Sequence, residues 1–112
     1  MAALPEPPGW PGDVPTQGVH ITRRAPFWSF TERSKARAPT QLVPLTALYS
    51  SQPTVGRELV HRLLREAWNS PPLIMPWEGR WAVQDGHHRI TAAALRGADY
   101  VLCRIVQPSD RA

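Results

Sequence analysis

The chain has 112 residues and a formal net charge of +4, and all but one of its 13 basic residues are Arg. This length allows one small domain with little more than a tail. No apolar run could span a bilayer, and the first residues lack the pattern of a secretion signal. Cys103 is the only cysteine, which excludes an internal disulfide and a cysteine-based zinc site. We therefore expect a cytoplasmic protein without a membrane segment, and the arginines make an anionic ligand reasonable.

Residues 1–39 are expected to form a Pro-rich and then basic, aromatic extension that is partly disordered. Residues 1–18 contain five prolines and three glycines, which cannot sustain a ladder of hydrogen bonds. Aromatic and basic residues alternate further on, as on surfaces that bind single-stranded nucleic acid, although rings of this kind also cover small cores. The basic side chains that would contact nucleic acid are Arg23, Arg24, Arg33, Lys35 and Arg37.

Beyond the extension, the apolar pattern predicts strands and helices in alternation. Gln41–Leu45 is a predicted strand, and Pro44 indicates its end or a sheet edge. The apolar residues of 55–69 share one helical face, which predicts an amphipathic helix. Ser51 or Thr54 would cap the N-terminus of this helix.

A β-hairpin is predicted next, because two short apolar runs flank a turn. The strands are Leu73–Trp77 and Arg80–Gln84, joined by Glu78 and Gly79. Pro76 cannot donate to a ladder, so it predicts an edge strand or a bulge.

The last elements are a helix that Gly97 ends and a strand over Tyr100–Val106. Val101, Cys103 and Ile105 alternate onto one face of that strand, so Cys103 is expected to be a small buried residue. This order predicts an α+β domain over residues 40–108, with a mixed sheet and two main helices.

One stretch carries most of the polar groups suited to chemistry. Asp85, His87, His88 and Arg89 crowd the turn where the second hairpin strand becomes a helix. The first N–H groups of a helix have no internal partners, and the helix dipole makes this end positive. Gly86 has no Cβ and would let a ligand come close. The pattern favours an anion, above all phosphate.

Each of these residues also has a purely structural interpretation. Asp85 could be the N-cap of the helix, or instead a general base or Mg²⁺ ligand. Arg89 could pair with Asp85 rather than with phosphate, and His87 could face solvent or cap the turn. Asp85, His87 and His88 are too close in sequence to converge readily on one ion, so no protein-built metal site is predicted. Mg²⁺ shared with ligand phosphates fits better.

The segment Val43–Val106 resembles the ParB/sulfiredoxin superfamily, through Asp-Gly-His-His-Arg at 85–89 and Thr-Ala-Ala at 91–93. The resemblance implies a nucleoside triphosphate such as ATP or CTP with Mg²⁺, bound at the start of the helix. The residues implied in contact with phosphate are Gly86, His88, Arg89 and Thr91. Catalytic roles would fall to Asp85, His87 and His88.

Several positions depart from the family pattern. The sulfiredoxin catalytic cysteine corresponds to His87, so reduction of a sulfinic acid by that route is not expected. The metal-binding glutamate of partition proteins also corresponds to His87, and their opening-box arginine corresponds to Thr54. The chain ends at Ala112, and we expect no helix-turn-helix reader domain.

The leading hypothesis is a ParB/sulfiredoxin-like domain that binds a nucleoside triphosphate or another phosphate ligand. A nucleotide hydrolase or phosphotransferase activity is left open. The alternatives are a DNA-binding accessory protein, through the basic residues of the extension, and a metal-dependent ParB-like nuclease of a phage or mobile element. The sequence does not predict the oligomeric state.

Overall fold

The computed structural model describes residues 13–66 and 70–111. Its elements are β1 Asp13–Pro15, β2 His20–Ile21, α1 Glu32–Arg37, β3 Thr40–Pro44, β4 Leu48–Ser50, β5 Thr54–Gly56, α2 Arg57–Arg65, β6 Leu73–Trp77, β7 Arg80–Asp85, α3 His87–Leu95 and β8 Tyr100–Ile105. Short 3₁₀ turns occupy Leu45–Ala47 and Pro108–Asp110. The prediction of disorder before residue 13 lies outside the described residues. The helix predicted to end near residue 69 ends at Arg65, because its C-cap Glu66 is extended, with φ of −112° and ψ of 153°.

Six strands form one mixed sheet in the order β2-β4-β7-β6-β8-β3, and β1 pairs separately with β5. Within the sheet β4 is parallel to β7, and β6 is antiparallel to β7 and parallel to β8. The two nine-residue helices α2 and α3 pack against each other, and α1 is a third helix of six residues. The predicted α+β fold with a mixed sheet and two main helices is confirmed.

The β6–β7 hairpin follows directly from its turn residues. Glu78 and Gly79 both have positive φ values, of 46° and 74°, as a type I′ turn requires. The pairing of β6 with β8 extends only over Leu73 and Ile74. Pro76 therefore lies where β6 has no strand on its second side, so its missing N–H interrupts no ladder there.

The start of α2 differs from the prediction. The helix begins at Arg57, its N-cap is Gly56, and no side chain caps it. Thr54 and Val55 instead form β5, because residues 13–15 supply an antiparallel partner in which Val14 pairs with Val55. The proposed cap at Ser51 or Thr54 is therefore wrong. A strand partner about forty positions earlier in the chain overrides the local helical pattern.

The sheet carries buried residues on both faces. The main cluster lies between the sheet and α3, and consists of Val43, Leu45, Leu48, Ile74, Val83, Ile90, Val101, Cys103 and Ile105. Burial raises the pKa of the Cys103 thiol to about 12, which fits the predicted small buried residue. Leu73 and Met75 point the other way from Ile74 and pack with Phe30 and Val106.

Part of the predicted extension belongs to this packing. β2 pairs with β4 at one edge of the sheet, Phe30 is buried in the second cluster, and Trp28 packs beside it. Within the described residues, no helix is long and apolar enough to cross a membrane. The segment from residue 13 to residue 38 therefore contributes strands and core cover close to the site considered next.

Candidate functional site at the start of helix α3

The turn between β7 and α3 requires a glycine for two independent reasons. Gly86 is the N-cap of α3 and has φ of 95° and ψ of 23°, in the left-handed region. A Cβ added there would lie 2.8 Å from the Cβ and 2.9 Å from the Cα of Pro72. Only a residue without a Cβ fits at this turn. Because Gly86 lacks one, the start of α3 can pack directly against Pro72 in the loop before β6.

The prediction that Asp85 caps α3 is wrong. Asp85 is the last residue of β7 and is exposed, and Gly86 takes the cap position without any side-chain hydrogen bond. The Asp85 carboxylate faces Arg89, whose Nη2 lies 3.9 Å from Oδ2. The left-handed glycine turns the chain after Asp85, so its carboxylate does not accept from the helix amides. Gly86 has no side chain that could accept from those N–H groups.

His88 joins the start of α3 to the start of α2. Its Nε2 accepts a hydrogen bond of 3.0 Å from the Gly56 N–H, so the ring proton is on Nδ1. Burial and the positive charge of Arg89 lower the pKa of His88, against a smaller opposing effect of Asp13 and Asp85. His88 is therefore a neutral link that brings two helix N-termini side by side.

His87 is enclosed rather than exposed, in contrast to one of the two roles considered for it. Only 5% of the residue is accessible, and burial with the nearby His88 lowers its pKa to about 4 although Asp85 opposes the shift. Its Nε2 has no hydrogen-bond partner among the described residues. The ring lies 6.1 Å from the ring of Phe27. A neutral, buried imidazole of this kind is poorly suited to proton transfer near pH 7.

Arg89 divides its guanidinium between two directions. Nη1 donates to the carbonyl oxygens of Ser70 and Pro71, at 2.5 Å and 3.2 Å, and fixes the loop before β6. Nη2 faces Asp85, and the side chain is 22% exposed. Nη1 thus holds the loop before β6, and Nη2 lies at the surface beside the first turn of α3.

Thr91 is not brought to this surface. It is fully buried, and its Oγ1 accepts a hydrogen bond of 3.1 Å from the N–H of Gln17. The hydroxyl links the segment after β1 to α3 and is not exposed to a ligand at the start of the helix.

Sequence reasoning missed Gln84, which organises the other side of the turn. Its Oε1 accepts from the Trp28 N–H at 2.7 Å, and its Nε2 donates to the Pro26 carbonyl at 2.9 Å. The sequence did contain a clue, since Gln84 is a single glutamine among apolar strand residues. A buried side-chain amide needs hydrogen-bond partners, so such a residue is expected to hold a neighbouring segment. Beside it is a cavity of about 300 Å³, lined by Phe27, Trp28, Ser29, Phe30, Lys35, Leu73, Gln84 and Asp85.

The residues named for nucleic-acid contact lie at the surface. Arg23 and Arg24 are exposed, as are Arg33 and Arg37 of α1, whereas Lys35 is half-buried and pairs with Glu32 at 3.2 Å. Arg24 lies 3.8 Å from Glu78. In residues 13–66 and 70–111, no group of three His, Cys, Asp or Glu side chains could hold a metal ion. Asp85, His87 and His88 therefore do not form a metal site by themselves.

Comparison with known proteins identifies the fold. Neither a protein-family model nor a curated protein matches the sequence. The crystal structure of sulfiredoxin from Arabidopsis thaliana is similar, with a TM-score of 0.52 and 19% identity over 62% of this chain and 85% of that chain. Identity at this level shows the fold alone. The chain thus has a sulfiredoxin-like fold.

Proposed function

We propose that the chain binds a nucleoside triphosphate such as ATP or CTP with Mg²⁺, or another phosphate ligand, at the start of α3. The observation that carries the proposal is the pair of helix starts joined by His88. The caps Gly56 and Gly86 provide no side-chain hydrogen bond, and the two helices have nine residues each. Their N-terminal amides and dipoles therefore favour an anion at the same place.

Each residue at the site has a distinct role in this proposal. The amides after Gly86 and the surface half of the Arg89 guanidinium bind phosphate oxygens. His88 is a positioning residue, because its Nε2 is engaged by Gly56. Asp85 is an exposed carboxylate at the same turn and would hold Mg²⁺ together with the phosphates, since this ion prefers oxygen ligands.

Hydrolysis or phosphoryl transfer would need a group that accepts a proton. Asp85 is exposed beside the helix start, whereas His87 is enclosed and holds a pKa of about 4. If the site turns over its ligand, we assign proton transfer to Asp85, in place of its role as Mg²⁺ ligand, rather than to His87.

The two alternatives have less support. Arg24 and Lys35 of the basic set already pair with Glu78 and Glu32, so part of that charge is compensated. A metal-dependent nuclease would need ligands that converge, and the described residues provide no group of three. No observation favours either alternative over phosphate binding.

The test is thermal unfolding with ATP, CTP and GTP, each with and without Mg²⁺, for wild type, Arg89→Ala and Arg96→Ala. Arg96 is the matched control, because it lies at the other end of α3 and also donates to a backbone carbonyl, that of Leu63 in α2. A ligand at 100 times its Kd raises the midpoint by on the order of 10 °C. We expect that shift in wild type and Arg96→Ala and its loss in Arg89→Ala.

Two results would contradict the proposal. The first is no shift with any nucleotide, with or without Mg²⁺, in the wild-type protein. The second is a shift of the same size in Arg89→Ala and Arg96→Ala, which would place the ligand away from the start of α3.

A further inference from the structure

One face of the sheet is covered over β6 but bare over β8 and β3. On β6 this face is buried in the cluster that contains Phe30 and Leu73. On the same face, the register of β3 with β8 places Leu42 directly beside Leu102, with Tyr100 two positions along the strand. Leu42, Leu102 and Tyr100 form an outer strip, and they are 60%, 49% and 57% exposed. Apolar side chains exposed together, rather than singly, indicate an interaction surface.

The outer strip adjoins an edge strand with open backbone groups. β3 pairs with β8 on one side, and within the described ranges no strand pairs with its other side. The N–H of Ile105 donates to the carbonyl of Pro39 at 2.8 Å, so the odd-numbered residues of β3 direct their backbone groups to β8. Thr40, Leu42 and Pro44 therefore direct theirs outward. Charged side chains or bulges commonly shield such edges, but β3 has no charge and pairs with β8 without a bulge.

The open edge of β3 is complementary to itself. In antiparallel pairing about a two-fold axis at Leu42, the Leu42 residues of two copies would exchange backbone hydrogen bonds in both directions. The Thr40 N–H of each copy would donate to the Pro44 carbonyl of the other. The N–H that Pro44 lacks would be opposite the Thr40 carbonyl and nothing else, so the proline does not prevent the pairing. The same axis would bring the two outer strips into contact, with Leu42 beside Leu42 and Leu102 on either side.

The distribution of charge favours a second copy at this edge. The chain has a net charge of +4, so two copies repel each other unless their cations are kept apart. Among the residues of β3 and β8 only Arg104 is charged, and it lies beside Thr40 at one end of the strand pair. Its Nη1 donates to the carbonyl of Lys35 at 3.5 Å. The two-fold axis would place the two Arg104 side chains at opposite corners of the four paired strands, so no like charges meet at the axis.

We propose that two copies of the chain dimerise through β3, which joins their sheets across the two-fold axis and covers the two outer strips. The core cluster that includes Ile90 of α3 lies on the other face of the sheet, so the dimer does not depend on the phosphate site. β3 has five residues, fewer than the roughly 20–30 per side of a standard interface, so the dissociation constant should be micromolar. The pairing uses the same surface on both copies and therefore stops at two.

The experiment is sedimentation equilibrium of wild type, Leu42→Lys and Ile21→Lys, at protein concentrations from about 1 to 300 μM. Ile21 is the matched control, because it is an apolar residue with 46% exposure on β2, the strand at the opposite edge of the same sheet. We expect wild type and Ile21→Lys to dimerise equally. Leu42→Lys places two cations against each other at the axis and should weaken the dimer at least about tenfold.

A second variant, Thr40→Pro, tests the strand pairing itself. The Thr40 N–H is directed outward, so proline there removes a donor to the second copy and no bond to β8. We expect a weaker dimer in Thr40→Pro, measured in the same way. Far-ultraviolet circular dichroism of each variant establishes that it is folded.

Four results would overturn the β3 dimer. Wild type that sediments as a monomer over the whole concentration range would exclude it. A dimer of unchanged affinity in Leu42→Lys would form through another surface. Equal weakening in Leu42→Lys and Ile21→Lys would indicate association through apolar side chains in general. A dimer that Thr40→Pro leaves unchanged would bring the outer strips together without pairing the strands.

Discussion

The two ends of α3 contain similar residues but differ in how their backbone groups are capped. Each has a glycine with positive φ, 95° at Gly86 and 83° at Gly97. Each also has an arginine that donates to carbonyls of a neighbouring segment. At the C-terminal end the N–H groups of Gly97 and Ala98 bond the carbonyls of Ala94 and Ala93, both at 3.0 Å. At the N-terminal end no side chain caps the helix.

This difference shows that one end of a helix can satisfy its backbone groups within the protein while the other end presents them to a ligand. The C-terminal end satisfies its backbone groups locally, and its glycine has open space around it. At the N-terminal end the cap is a glycine without a side chain to bind the helix donors, although a loop, a second helix start and a buried histidine crowd it. The first N–H groups of a helix have no partner within the helix, so a ligand at this end can bind them.

The largest effect should come from adding a methyl group to the crowded glycine. Gly86→Ala introduces both an unfavourable φ and a contact under 3.0 Å with the Pro72 backbone. The left-handed conformation costs about 1–2 kcal/mol, and overpacking adds about 1–3 kcal/mol. We expect the free energy of unfolding to fall by roughly 2–5 kcal/mol in urea titrations.

Gly97→Ala is the matched control for that measurement. It has the same kind of φ and nothing within 4 Å of an added Cβ, so only the conformational cost of about 1–2 kcal/mol applies. Equal losses in the two variants would mean that Pro72 moves aside readily, and the start of α3 would then be less tightly packed than the structure indicates.

The sequence predicted those elements whose causes are local. The hairpin turn at Glu78 and Gly79, the helix end at Gly97 and the alternation along β8 each depend on neighbouring residues. The start of α2 could not be predicted, because β5 exists only through its pairing with β1. The hydroxyl of Thr91 accepts a hydrogen bond from Gln17, which lies 74 positions earlier.

The sequence indicated which residues lie at the candidate site, but not which partners their side chains contact. A glycine followed by histidines and an arginine at a helix start indicates an anion, because the first helix amides, the guanidinium and one nitrogen of each imidazole are hydrogen-bond donors. The sequence could not indicate that half of the Arg89 fork holds Ser70 and Pro71, or that His88 accepts from Gly56. Those contacts depend on how the loop before β6 and the start of α2 meet α3.

The buried histidine predicts a pH dependence. The folded-state pKa of His87 is about 4, below the ordinary value of 6.5, so the unfolded chain binds more protons between these values. The stability that His87 contributes is present above pH 6.5 and is lost as the pH falls toward 4. The loss is on the order of 3 kcal/mol. Urea titrations from pH 7.5 to pH 4 should show a shallower decline in His87→Asn than in wild type.

The comparison between those two proteins isolates His87 from the carboxylates, which titrate in both. His88, whose pKa is also lowered, contributes in the same direction and remains in both proteins. Parallel stability curves for wild type and His87→Asn would show that the imidazole is not enclosed in solution. The reason for excluding His87 from proton transfer, its burial with a lowered pKa, would then no longer hold.

The smallest effect distinguishes the two arginines of α3. Arg89 is mostly buried and donates to two carbonyls before β6, so its loss leaves acceptors without partners. Hydrogen bonds to charged groups contribute about 1.5–3 kcal/mol, and we expect Arg89→Ala to lose stability in that range. Arg96 is exposed, and water can replace its contact with Leu63, so Arg96→Ala should lose about 1 kcal/mol or less. Urea titration of the ligand-free variants measures this difference directly. A loss in Arg89→Ala no larger than in Arg96→Ala would indicate that the guanidinium of Arg89 is not held by the loop and is wholly available to phosphate.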